Sequence, residues 1–135
     1  MDRRTFLTTA VAALAMPALA HATANYTPGL VKDHLAKGDT VFLVFGTSWC
    51  TTCAAQDRAI NALLESNPEY DAKVTFIHVD YDQYGQSELA RELKIPRRST
   101  LVVLKGNEEL GRIVAGTSKK QIKALMDTAL SATVA

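Results

Sequence analysis

The sequence predicts an α/β fold with a central mixed β-sheet and helices on both of its faces. Three observations lead there. Apolar runs rich in β-branched and aromatic residues, too short for helices, alternate with segments whose apolar residues recur at helical spacing. Strands separated by helices pair in parallel, because the chain needs a crossover to return. Near the C-terminus, two further apolar runs flank Gly106-Asn107, the mark of an antiparallel hairpin.

In chain order, Thr27-Pro28 offers a helix start, with Thr as N-cap and Pro in the first turn. Leu30, Val31 and Leu35 mark its inner face, and Gly38 its end. Residues 40–45 form a continuous apolar run, as a strand buried on both faces requires. Gly46 to Trp49 make a loop. A helix from about Cys50 carries Ile60, Leu63 and Leu64 inward and stops near Asn67-Pro68. Residues 73–79 read as a second buried strand, 80–85 as a polar loop and 86–94 as a short helix. Residues 100–104 and 109–114 are the hairpin strands. Ser118-Lys-Lys-Gln121 is a capping box opening a last helix, with Ile122, Leu125, Met126 and Leu130 turned inward.

Residues 1–20 read as a cleavable export signal outside the fold. Arg3-Arg4 gives a basic start, an Ala-rich apolar run extends to about Ala15, and Ala18-Leu19-Ala20 supplies a small-x-small cleavage pattern. The run is shorter than the roughly 20 residues that span a bilayer. Cleavage is expected after Ala20, with Ala22 as the alternative. Arg3-Arg4-Thr5-Phe6-Leu7 resembles the twin-arginine signal, which implies export in the folded state. Asp2 and Thr8 depart from its usual flanks, which leaves ordinary unfolded export open. Residues 21–135 are then a single, soluble, periplasmic domain. Without Asp2, Arg3 and Arg4 the chain holds 13 basic and 13 acidic side chains. That balance offers nothing to nucleic acid or to an anionic membrane.

The two cysteines, Cys50 and Cys53, stand where a buried strand and short loop hand over to a helix. As a staple the pair is poor, since a cross-link stabilises mainly by closing a long loop in the unfolded chain. As chemistry it is well placed. A thiol at a helix start meets unpaired N–H groups and the positive end of the dipole, both of which favour thiolate. Cys53 returns to the same face one turn later. Cys50 is therefore the expected attacking thiolate and Cys53 the resolver. An exported protein would work where disulfides persist.

Trp49-Cys-Thr-Thr-Cys53 between a buried strand and a helix, within this element order, resembles the thioredoxin superfamily from about Thr27 to Leu130. The resemblance implies a thioredoxin-like fold and thiol:disulfide exchange without a bound organic cofactor. Thr51-Thr52 and Ala54-Ala55 look most like periplasmic reductase domains fed by a membrane electron transporter. Exported disulfide-containing proteins such as apocytochrome c would be the substrates, with the chain acting as a monomer. A disulfide oxidase of the same fold and a copper chaperone holding metal on the CxxC thiolates are the rival readings. The implied substrate surface comprises Trp49, Thr51, Thr52, Arg98, Ser99 and Thr100.

Three positions depart from the family pattern. Its buried acidic residue falls on Val44 and the lysine partner on Phe76, so the pair is replaced by apolar side chains. With no buried carboxylate for the Cys53 proton, water or the partner is expected to take it. The cis-proline position falls on Ser99, with Pro96 as the alternative. A cis bond before Ser costs about 2.5–4 kcal/mol, so a trans loop is expected there. Arg98 would add a positive charge near Cys50.

Other residues carry less. His78 reads as a satisfied core histidine and His21 and His34 as surface residues. Asp80-Tyr81-Asp82 lacks EF-hand spacing and reads as a solvated loop. Ala54 stands where haem attachment would need His, and a single CxxC supplies half of a structural zinc site.

Overall fold

The computed structural model describes residues 23–133, so the export signal assigned to residues 1–20 lies outside the described residues. Eleven elements follow in order: β1 (Ala24–Asn25), α1 (Leu30–Ala36), β2 (Thr40–Gly46), α2 (Thr51–Ser66), α3 (Glu69–Lys73), β3 (Thr75–Asp80), α4 (Tyr81–Tyr84), α5 (Glu88–Glu92), β4 (Thr100–Lys105), β5 (Glu108–Val114) and α6 (Lys119–Ala132). The strands form one five-stranded sheet in the order β1-β3-β2-β4-β5. β3 lies parallel to both β1 and β2, while β2/β4 and β4/β5 are antiparallel. This is the mixed sheet that the element order predicts.

Each face of the sheet carries its own core. Phe42 and Val44 of β2 join Phe76, Leu101 and Val103 beneath α2, α3 and α6. Val41, Leu43 and Phe45 point the other way and meet Ile77, Val79 and Val102 beneath α1 and α5. Every residue of β2 is buried, because it is central and covered on both faces. In α6, Ile122, Leu125, Met126 and Ala129 form the buried stripe. Leu130, expected inside, is half-buried at the edge of that stripe, and the smaller Ala129 takes the inner position.

Four boundaries differ from expectation for identifiable reasons. The first helix begins at Leu30 rather than after Thr27, because Gly29 turns left-handed with φ 91° and Leu30 N–H closes a turn onto Thr27 O. The two-residue β1 is too short to show periodicity and exists through its pairing with Ile77 and His78. Pro68 ends the long helix and opens α3 as its N-cap. The segment after β3, read as a polar loop, is the short helix α4, capped by the Asp80 carboxylate accepting the Asp82 N–H at 3.0 Å.

Candidate active site

Strand β2 ends at Gly46, and after three intervening residues Cys50 serves as N-cap of α2 in extended conformation. Its Sγ accepts the Cys53 backbone N–H at 3.2 Å. A thiol here occupies the role usually taken by a Ser or Asp oxygen, satisfying a donor the helix cannot pair itself. Both cysteines are free thiols, and both are buried.

Opposite them, on the loop entering β4, Ser99 is fully buried. Its Oγ lies 3.2 Å from Cys50 Sγ and 3.1 Å from Cys53 Sγ. One hydroxyl has a single proton to donate and lone pairs to accept. With Cys50 ionised, that proton is donated to the Cys50 thiolate. The peptide bond before Ser99 is trans, as expected, and the residue is instead left-handed with φ 65°. That conformation costs roughly 1 kcal/mol or more for a residue with a Cβ. It is held by three hydrogen bonds: Ser99 N–H donates to Phe45 O at 2.7 Å, and Ser99 O accepts Ala115 N–H at 2.8 Å and Gln56 Nε2 at 2.9 Å. Gln56, fully buried on α2, donates also to Gly116 O at 2.9 Å. The sequence reading missed Gln56. A glutamine one turn beyond a CxxC helix start, on the buried face, was the available signal.

Electrostatics separates the two sulfurs. For Cys50, removal from water opposes ionisation. The Cys53 thiol, the Ser99 hydroxyl, the Cys53 backbone N–H and the Arg98 guanidinium outweigh it, and bring the pKa from 9.0 to about 6. For Cys53, burial and then its hydrogen bond to Cys50 push the thiol above its ordinary value, against opposing contributions from Ser99 and the Thr47 backbone. At neutral pH the first sulfur is a nucleophile and the second a protected thiol.

Trp49 is 58% exposed beside the cysteines. Arg98 lies over its ring, 4.3 Å from the centroid, and its indole N–H donates to Asp82 Oδ2 at 2.8 Å. Asp82 therefore has a positioning role that reading the segment as a solvated loop did not suggest. Thr51 is exposed and Thr52 half-buried in the first turn of α2. Thr100 is fully buried and its hydroxyl donates to Arg97 O at 2.7 Å, so it shapes the loop from below and presents no surface to a partner. Val44 and Phe76 are buried in the apolar core, as the sequence implied. His34 is half-buried, with Nδ1 2.8 Å from Asp39 Oδ2. His78 departs from its reading as a core residue: it is half-buried and lines a cavity of about 620 Å³ with Cys50, Asp57 and Asp80.

Comparison with known proteins agrees with this geometry. The family profile described as Thioredoxin matches residues 19–128. Among curated relatives, thioredoxin H2-1 of rice is 30% identical over 88 residues, covering 65% of this chain and 59% of the rice protein. A putative thioredoxin-4 of Dictyostelium discoideum is 28% identical over 97 residues, covering 71% of this chain and 86% of its own length. The first of these matches thus spans less than two thirds of the relative. Among solved structures, Trxlp from Edwardsiella tarda superposes with a TM-score of 0.65 at 21% identity, covering 76% of this chain and 98% of that one. The thioredoxin of Malassezia sympodialis gives a TM-score of 0.62 at 22% identity, covering 80% and 94%. With a family match over most of its length, a CxxC at the helix start and this sheet order, the chain belongs to the thioredoxin family.

Proposed function

We propose that this chain is a thiol:disulfide oxidoreductase that reduces disulfides in exported polypeptides. The observation that carries the reading is the Cys50 sulfur acting as N-cap, held by the Cys53 N–H at 3.2 Å and by Ser99, which favours thiolate at neutral pH. Cys50 S⁻ attacks one sulfur of the partner's disulfide, and the second partner sulfur leaves as thiolate and takes a proton from solvent. Cys53, deprotonated, then attacks Cys50 Sγ, expelling the remaining partner thiolate and forming the Cys50–Cys53 disulfide. Two electrons pass from the dithiol to the partner. No organic cofactor enters this cycle.

The finer reading is a periplasmic reductase, resupplied with electrons by a membrane thiol transporter and acting as a monomer on substrates such as apocytochrome c. The basic start, apolar run and small-x-small pattern of residues 1–20 support export. The thioredoxin family match supports the reducing end of the roughly −270 to −120 mV spanned by such proteins.

Expression of a Cys53→Ala variant in cells tests the reading. It should accumulate mixed disulfides on Cys50 with both an electron donor and an acceptor protein. Recovery of no adduct, or a glutathione equilibrium placing the potential near −120 mV, would remove the reductase.

A further inference from the structure

The family's buried acid–lysine pair is absent, since Val44 and Phe76 occupy those places in the core beneath α2. The proton on Cys53 must nevertheless leave before this sulfur can resolve a mixed disulfide. Ser99 cannot dispose of it. It relays between the two sulfurs, and in the mixed disulfide Cys50 Sγ is bonded to the partner and no longer a proton acceptor. A base is needed on the inner side.

The structure supplies one a single step along β3. Side chains alternate along a strand, so His78 shares the α2-facing side with Phe76 and stands in register with Val44. Gly46 brings it to the cysteine. A Cβ on Gly46 would lie 3.4 Å from Cys53 Sγ and 3.4 Å from His78 Nε2. Both atoms therefore lie against the same side of Gly46 and at most about 7 Å apart, a gap that a single bridging water can span. On α2, Asp57 lies one turn beyond Cys53 on the same helix face and lines the same cavity as His78. Asp57 is half-buried; burial raises its pKa, while the nearby His78 charge draws it down. Asp80 and Asp82 line the cavity from the β3–α4 side, and Tyr26 and Tyr84 from the outer wall. Among the described residues lining it there is no Lys or Arg. Three carboxylates thus share the cavity with one imidazole.

We propose that His78, oriented and charge-balanced by Asp57, is the proton acceptor for Cys53 in the resolving step. This rests on the thiol:disulfide exchange proposed above and completes it. Cys53 S–H passes its proton through one water bridging past Gly46 to His78 Nε2. The resulting thiolate forms the bond to Cys50 Sγ as the bond from Cys50 to the partner sulfur breaks, and the partner leaves as thiolate. In the reverse direction the imidazolium returns the proton to Cys53 as the disulfide opens. The polar function that Val44 and Phe76 have lost is thus carried by a histidine two residues along the strand and a carboxylate on α2.

Stopped-flow mixing of the reduced full chain with an aromatic disulfide that releases a coloured thiolate tests this, because the two steps give two phases. The first release reports attack by Cys50, and the second reports resolution by Cys53. His78→Gln should slow the second phase by about ten- to a hundredfold at pH 7, with recovery at high pH where Cys53 ionises unaided. Gly46→Ala, which seats a methyl against both atoms and keeps the histidine, should lower the second phase in the same pH-dependent way. Asp57→Asn should produce a smaller loss, again greatest near neutral pH. A second phase whose pH profile matches the parent in His78→Gln overturns the assignment. Should His78→Gln fail to fold, parental profiles in Gly46→Ala and Asp57→Asn overturn it equally. Loss of the first phase in the parent chain would instead remove the exchange reaction itself.

Discussion

Cys50 and Cys53 are one helical turn apart, yet their surroundings act in opposite directions. On the outer side, Cys50 meets a peptide N–H, the Ser99 hydroxyl and the cation of Arg98 lying over an exposed Trp49. Those groups favour charge. On the inner side, Cys53 meets the core, and beyond Gly46 the half-buried His78. There the proton is retained until something takes it. Donors at one sulfur and burial at the other decide which attacks and which waits, with no difference in residue type.

The contrast can be broken at its support. Gln56→Ala removes both hydrogen bonds by which α2 holds Ser99 O and Gly116 O. Two buried hydrogen bonds with an accompanying void amount to about 2–3 kcal/mol of stability, measurable as a lowered urea midpoint. Because Ser99 then loses an anchor, Cys50 should also alkylate with a higher apparent pKa. An unchanged midpoint would mean that the left-handed loop is held elsewhere.

A more selective change sharpens the comparison. Ser99→Gly keeps the φ of 65° accessible and deletes only the hydroxyl. One hydrogen bond to a charged sulfur is worth roughly 1.5 kcal/mol, so the Cys50 alkylation midpoint should rise from about 6 by about one unit. The sign follows from linkage. A thiol whose pKa falls from 9.0 to about 6 on folding stabilises the reduced chain fully above about pH 9, and that contribution is lost as pH falls through 6. Ser99→Gly narrows this window from its acid side. A pH titration of dithiol-state stability should show the same displacement.

The smallest effect is expected at the rim. Arg98→Met removes the cation over Trp49 at a surface site, where such a contact is worth about 0.5–1 kcal/mol. Partner affinity on a trapping variant should weaken slightly and the Cys50 midpoint should rise by a few tenths. A larger rise would make Arg98, rather than Ser99, the principal stabiliser of the thiolate.

Much of the architecture was legible in one dimension. The apolar run from Thr40 to Phe45 announced a central strand because burial on both faces leaves no polar alternation to find. Ser118 announced α6, and its hydroxyl does accept the Gln121 N–H. The short elements were illegible: β1 exists only through its partners on β3, and α4 only through the Asp80 cap. At the site, the CxxC and its roles could be read from spacing. Gln56 left one signal, its place on the buried helix face; Asp57 and His78 left none, because they come together from a helix and a strand far apart in the chain, and a lone histidine in an apolar strand resembles a core residue.

By itself, the sequence determined the family, the layering of the sheet and the pair of sulfurs, since these depend on local periodicity and on residues adjacent in the chain. The tertiary structure alone decided how each sulfur is treated. Ser99 lies 49 residues from Cys50 and His78 lies 25 from Cys53, and hydrogen bonds and desolvation act over a few ångströms of space whatever the separation along the chain.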